Sequence, residues 1–192
     1  MSKFYELTEF YKRDVYFVYS EEENPVSWLE LITGERKSFN DFPLIYEVDK
    51  IDTYINKYDI LPYIGIPLVS EKFKNLFCDL EEDGQIQFFK TKIIDKNGNF
   101  NRDFFAVNIL NVISCMDSEK SIVETKKYGD EIIINIKKLY IKPNSLNKYS
   151  IVRMKEHNSY IIVTENFKKR CNEANLKGID FVEEGHTIYT DL

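Results

Sequence analysis

The chain is poor in the residues that build metal sites, disulfide frameworks and phosphate-binding loops. Its 192 residues include only three cysteines and two histidines, and no Cys-x-x-Cys pair occurs. This argues against a disulfide framework or a zinc knuckle. The seven glycines stand apart and form no phosphate-binding motif, and a Gly-x-Ser-x-Gly elbow is absent. We therefore expect no cofactor and no metal.

Long apolar segments are also missing. The longest apolar runs have about five residues, whereas a membrane-spanning helix needs roughly 20. The first residues lack a basic segment followed by an apolar one, so we expect no secretory signal peptide. These observations predict a protein of the reducing cytoplasm that has no membrane partner.

Positive charge is in deficit. The formal net charge is −6 and the isoelectric point is about 5.1. Proteins that bind nucleic acid are usually basic, because contacts with phosphates supply much of their affinity, so we expect no nucleic-acid partner. An acidic surface gives solubility and also speeds the encounter with a basic protein.

Apolar residues are nevertheless plentiful enough for a core. Hydrophobic residues make up 43% of the chain and aromatic residues 15%, which argues against disorder. The pattern predicts an α+β fold with a mixed, mostly antiparallel sheet and packed helices. We expect a single domain over residues 1–192, in which residues 1–60 could form an N-terminal subdomain and 61–192 the core.

Local signals assign several elements. Strands are predicted at residues 14–19, 26–32 and 43–48, which are rich in β-forming side chains. Ser70 is a good N-cap for a helix whose apolar stripe runs to Leu80.

A hairpin is predicted after that helix, with Asn97-Gly98 as a two-residue turn between strands at 85–95 and 100–113. This register places Ile86 opposite Ile109, Phe88 opposite Val107 and Phe89 opposite Ala106. Both faces are apolar, which indicates a central position in a sheet.

Two segments of the chain resemble each other. Val69–Lys74 is similar to Val163–Lys168, and each begins an amphipathic helix that is followed by a glycine and an Ile-x-Phe strand. The common pattern is strand, hydroxyl cap, helix and strand. It fits a duplicated unit, and it equally fits two independent connections, because helix caps and stops are few in kind.

Three residues are the best candidates for a chemical site. Cys115 lies close in sequence to Asp117 and Glu119, just after a predicted strand, where sites often lie. A pocket that held these side chains would favour an uncharacterised enzyme, whereas a closed apolar cavity would favour a protein that binds a small ligand. The alternative is a purely structural role, in which Cys115 is a small buried thiol and Asp117 and Glu119 are solvated turn residues.

Three groups of segments resemble one known family. They are Pro67–Phe73, then Val107–Val112 running into Cys115–Ser121, and Ile161–Glu165 with Leu176–Phe181. They cover roughly residues 60–184, and Asn111–Ser121 is the most distinctive stretch. In these segments the chain resembles bacterial polymorphic-toxin immunity proteins of the Imm-eleven type, earlier known as a domain of unknown function.

The resemblance implies a cytoplasmic protein that binds and blocks a cognate toxin and has no catalysis of its own. It carries over no functional residue. Charge alone suggests where the toxin would bind, because acidic loops steer a basic partner such as a nuclease. The candidate contact residues are Glu21, Glu22, Glu23, Glu81, Glu82, Asp83, Glu183 and Glu184.

Overall fold

The fold is mixed α+β and consists mostly of sheet. A computed structural model of the chain describes residues 3–9, 15–39, 41–128 and 131–186. The predicted α+β class is confirmed. No helix within these ranges is long and apolar enough to cross a membrane.

Fifteen strands lie in the described ranges. They are β1 (Phe4–Glu9), β2 (Phe17–Tyr19), β3 (Leu44–Val48), β4 (Ile60–Leu61), β5 (Tyr63–Ile64), β6 (Leu68–Ser70), β7 (Ile86–Asp95), β8 (Phe100–Asn101), β9 (Phe104–Ile109), β10 (Val112–Ile113), β11 (Ile122–Tyr128), β12 (Glu131–Lys138), β13 (Ile151–Met154), β14 (Ile161–Thr164) and β15 (Ile179–Glu183).

The strands form three sheets. The largest has the order β4-β6-β9-β7-β3-β2-β5, and β8 also pairs with β7. A second sheet has the order β10-β13-β14-β1-β15, and β11 pairs with β12 alone. The β2–β5, β3–β7 and β10–β13 pairs are parallel, whereas the other strand pairs are antiparallel.

The largest sheet curls until it is nearly closed. Strands β4 and β5 lie at opposite ends of its order, yet only Pro62 separates them in the chain. The N–H of Phe17 donates to the carbonyl oxygen of Pro62 at 2.9 Å. The two ends must therefore meet, and the sheet wraps around one buried apolar cluster that includes Leu61, Tyr46 and Phe104.

Four short α-helices accompany the described strands. They are α1 (Trp28–Leu31), α2 (Glu71–Leu76), α3 (Cys78–Glu82) and α4 (Glu165–Glu173). The predicted caps are confirmed, since Ser70 Oγ accepts from Phe73 N at 3.2 Å and Thr164 Oγ1 accepts from Phe167 N at 3.3 Å. The predicted helix after Ser70 is divided at Phe77 into α2 and α3.

The strand predicted at residues 26–32 is wrong. Ser27 caps α1 instead, and its Oγ accepts from Leu29 N at 3.2 Å. The strand predicted at 43–48 is confirmed as β3. A local side-chain cap therefore outweighs the β-forming composition of residues 26–32.

The hairpin register is as predicted, but its turn is not. Ile86 pairs with Ile109, Phe88 with Val107 and Phe89 with Ala106. At the turn Asp95 N donates to Asn99 O at 3.0 Å, so three residues connect the strands rather than two. Of these only Gly98 has positive φ, at 81°.

Asp95 explains the longer turn. Its buried carboxylate accepts from the backbone N–H groups of Asn97 and Asn99, both at 2.9 Å. The pairing register also changes between β8 and β9. Ile94 pairs with Phe100, which is one residue out of step with the register of the β7–β9 pair. The single returning strand predicted at 100–113 is thus three strands, β8, β9 and β10.

The two similar segments have the same strand arrangement. In the largest sheet β9 lies between β6 and β7, and in the second sheet β1 lies between β14 and β15. In both cases a helical connection joins the two outer strands of the trio. The middle strand is not part of that connection, because β9 follows β7 and β8 in the chain and β1 precedes all the other described strands. Both middle strands run antiparallel to their neighbours.

The helices of these two connections pack together in one core. The rings of Phe77 and Phe167 stack with their centroids 4.2 Å apart and an angle of 6° between their planes. Both side chains belong to a buried cluster with strand residues of the two large sheets, among them Val107 and Val163. A further cluster, which includes Val152 and Ile136, lies on the other face of the second sheet.

Polar contacts also join the regions around these two helical connections. Arg170 in α4 makes a two-pronged ion pair with Asp79 in α3, at 2.7 and 2.8 Å. The buried carboxylate of Asp59 accepts from Ser70 Oγ at 2.6 Å and from Lys177 N at 2.8 Å. Next to it, Gly178 approaches Ile60 so closely that an added Cβ would lie 2.6 Å from its carbonyl oxygen.

Residues from the first third of the chain pair with strands from both large sheets. Strand β1 lies between β14 and β15, and β3 pairs with β7. The division into a subdomain at 1–60 and a core at 61–192 stays a prediction.

We expect Phe77→Ala to lower the free energy of unfolding by about 3–5 kcal/mol, because it empties a buried site in the core between the two sheets. Urea unfolding followed by circular dichroism measures this loss. Phe100→Ala is the matched control, since Phe100 is 58% exposed and its loss should cost no more than about 0.5 kcal/mol. Equal losses for the two variants would contradict this account of the core.

Candidate functional site

Cys115 does not have the environment of a catalytic thiol. Its side chain is fully buried in the cluster that contains Val152 and Ile162. Burial, together with the nearby negative charge of Glu156, raises the pKa of the Cys115 thiol to about 12. Because the thiolate is the nucleophile, this thiol is poorly reactive at neutral pH.

Asp117 organises a turn. Its Oδ1 accepts from the N–H groups of Glu119 and Lys120, at 3.2 and 3.3 Å. Burial acts to raise the pKa of Asp117, but these N–H groups and the Lys120 ammonium lower it below its usual value. Glu119 is exposed on the same turn, and the cleft described below is not lined by Cys115, Asp117 or Glu119.

The turn is tied to the chain that follows β12. Ser121 N donates to Asp117 O at 2.8 Å, and Tyr140 N donates to Ser121 Oγ at 2.9 Å. Asp117 N donates to Tyr140 O at 2.8 Å. The end of the most distinctive stretch of the family resemblance, Asn111–Ser121, thus has a structural role here.

Thiol labelling tests this description of Cys115. With a disulfide reagent at pH 8 we expect one fast-reacting thiol in the folded protein, because Cys78 is exposed whereas Cys115 and Cys171 are buried. Burial raises the pKa of Cys171 to about 12 as well. In Cys78→Ser the fast phase should disappear until denaturant is added, and a fast phase that persists would indicate a reactive buried thiol.

The predicted acidic residues fall into two kinds. Six are exposed, namely Glu21, Glu22, Glu23, Glu82, Asp83 and Glu183. Glu81 and Glu184 are partly buried and accept backbone hydrogen bonds, from Phe88 N at 3.0 Å and from Ile141 N at 2.6 Å respectively. Glu21 also accepts from Trp28 N, at 3.3 Å, at the start of α1.

An exposed row of side chains crosses the outer face of the largest sheet. Strand pairing places Ile64 beside Val18, Val18 beside Glu47, Glu47 beside Ile94, and Ile94 beside Phe100. Side chains of directly paired residues lie on one face of a sheet, so these five form a continuous row. Ile64 is 49% and Val18 40% exposed, whereas Phe17 and Tyr19 on the opposite face are buried.

A cleft of about 590 Å³ lies over part of this row. Val18, Ile64 and Ile94 contribute apolar surface, and so does Tyr16, which is 51% exposed. Glu23 lines the cleft and is the one predicted acidic residue that does so.

Two further exposed carboxylates line the cleft with Glu23, those of Glu47 and Asp49. Glu47 Oε1 accepts from Ser20 Oγ at 2.6 Å, and Asp49 is paired with Lys96 at 2.6 Å. No cation in the described ranges lies within ion-pair distance of Glu23 or Glu47. This end of the row is therefore apolar and negatively charged.

The other end of the row is positively charged. The Lys92 Nζ lies 5.4 Å and the Arg102 guanidinium carbon 5.2 Å from the ring centre of Phe100. The row thus changes from acidic at β5, β2 and β3 to basic at β7 and β8.

The described part of the chain contains no group of three or more His, Cys, Asp or Glu side chains that could hold a metal ion.

Glu47, Asp49, Val18 and Ile64 were not predicted as site residues. Alternation in β3 is a usable signal, because Glu47 lies between the buried residues Tyr46 and Val48. For Val18 and Ile64 the sequence holds no such signal, since apolar residues in short strands are equally compatible with a core. Their exposure follows from the curvature and order of the sheet.

An exposed apolar sheet face with an acidic border is typical of a protein that binds another macromolecule. The model of the immunity protein family (Imm11) matches residues 14–185. The match covers most of the chain, and the chain belongs to this family. It confirms the resemblance and extends it to most of the first 60 residues, and family membership implies a toxin-neutralising function. No curated protein matches the chain.

Proposed function

We propose that this protein binds a cognate toxin domain and neutralises it by covering it, without catalysis of its own. The family match over residues 14–185 is the observation that carries the proposal. The environments of Cys115 and Asp117 also support it. The Cys115 thiol is buried and has a raised pKa, and the Asp117 carboxylate accepts a hydrogen bond from the backbone of its own turn. The protein acts as one domain in the cytoplasm of the cell that makes the toxin.

The toxin domain is basic in this proposal. The net charge of −6 favours encounter with a cationic partner, and a nuclease is one kind of toxin with that charge. The proposed contact residues are the acidic segments Glu21–Glu23, Glu81–Asp83 and Glu183–Glu184, with the exposed members facing the toxin. Glu81 and Glu184 support the backbone beside them through their hydrogen bonds.

Co-expression with the toxin domain encoded beside this gene tests the proposal. We expect growth to be restored and the two proteins to purify as a stable complex. A protein that blocks by binding neutralises its partner at equimolar amounts, whereas an enzyme would act below that ratio.

The control for this experiment is the toxin itself. After the complex is denatured and separated, the toxin should have an unchanged mass and regain full activity. Continued killing while this protein is folded and abundant would contradict that pairing. A covalently altered toxin would contradict the non-catalytic mechanism.

A further inference from the structure

No described residue covers the apolar end of the exposed row. Val18 and Ile64 are 40% and 49% exposed, and they lie side by side on the outer face of β2 and β5. Tyr16, at 51% exposure, lines the same cleft. Adjacent exposed apolar side chains with a polar border usually mark a site for a macromolecular partner.

The charge beside this apolar surface is predominantly negative, because four carboxylates and one ammonium group line the cleft. Of the three exposed carboxylates in the cleft, Asp49 is paired with Lys96, which leaves those of Glu23 and Glu47 without a described cation. The occupant must therefore supply positive charge together with apolar surface. Arginine and lysine combine the two, because a long alkyl stem carries the charged group.

We propose that this cleft receives an arginine or lysine side chain from a basic surface segment of the toxin domain, an inference that rests on the proposed function. The alkyl stem lies on Val18 and Ile64, and the charged group binds Glu47 and Glu23. The hydrogen bond from Ser20 Oγ to Glu47 Oε1, at 2.6 Å, holds the Glu47 carboxylate in place.

The charge pattern of the row also orients the partner. Lys92 and Arg102 beside Phe100 repel a second cation at the β7–β8 end. The basic side chain therefore enters at the β5–β2–β3 end, and the part of the toxin near Phe100 is neutral or acidic.

A pair of matched double variants tests the role of charge. Glu23→Gln/Glu47→Gln keeps the size of both side chains and the acceptor for Ser20, but removes two negative charges from the cleft. Glu165→Gln/Glu173→Gln removes two charges from exposed side chains of α4, which lie outside the cleft and outside the proposed contact segments. The probe is the toxin domain that the unchanged protein neutralises.

We expect the cleft variant to raise the Kd at least about tenfold and to weaken the dependence of the Kd on salt concentration. The reason is that a complex loses affinity when one partner of an interfacial charge pair is removed. The control variant should stay within about twofold. Equal effects of the two double variants, or a larger effect of the control, would overturn the proposal.

The apolar surface has its own matched pair. Ile64→Ser should weaken binding of the toxin domain, whereas Ile122→Ser should not, although Ile122 in β11 is equally exposed at 50%. Thermal unfolding of both variants checks that they are folded. Unchanged binding by Ile64→Ser would overturn the apolar part of the proposal.

A synthetic probe separates this inference from the immunity role. Methyl spectra of the full chain are recorded with acetyl-Arg-Val-Arg-Val-Arg-amide and with the corresponding glutamate peptide. Only the arginine peptide should shift the Val18 and Ile64 methyl signals, and the Glu23→Gln/Glu47→Gln variant should lose the shift. Shifts located elsewhere, or the same with both peptides, would overturn the cleft assignment even if the toxin is neutralised. A specific shift without any neutralised toxin would support the cleft and count against the immunity role.

Discussion

The structure depends on the meeting of the two ends of one sheet at Pro62. Strands β4 and β5 are neighbours in the chain but lie at opposite ends of the strand order, so the sheet must wrap around its own apolar face. Leu61 consequently lies in the buried interior, while Ile64 lies outside with 49% exposure. The curvature that builds the core thus also creates the exposed row.

The second constraint is the contact between the two helical connections. Each connects two strands that flank a third, and the stacked rings of Phe77 and Phe167 bring them together between the sheets. The ion pair of Arg170 with Asp79 and the hydrogen bonds of Asp59 lie around this apolar contact. These contacts attach the second sheet to the nearly closed one, and none of the described elements packs on the outer β5–β2–β3 face.

Local chemistry made part of this fold predictable. The hydroxyl caps at Ser70 and Thr164 and the register of Ile86 with Ile109 depend on neighbours in sequence or on one hairpin, and all are confirmed. The prediction of a two-residue turn at Asn97-Gly98 was wrong, because the Asp95 carboxylate accepts hydrogen bonds from the loop backbone and favours a longer turn.

The candidate site could be predicted only in part. Glu23 was chosen for its charge and does line the cleft, but its neighbours come from β2, β3 and β5, which are brought together by a parallel pairing and by closure of the sheet. Such long-range pairing has no signature in a single sequence. Charge alone also could not separate exposed residues such as Glu82 from Glu81, whose carboxylate accepts from Phe88 N.

The most direct test of the account is a structure of this protein bound to the toxin domain that it neutralises. The account predicts an arginine or lysine of the toxin in the cleft between Tyr16, Val18 and Ile64, with its charged group within about 4 Å of Glu23 or Glu47. A complex in which the toxin binds elsewhere and this cleft stays open to solvent would contradict it.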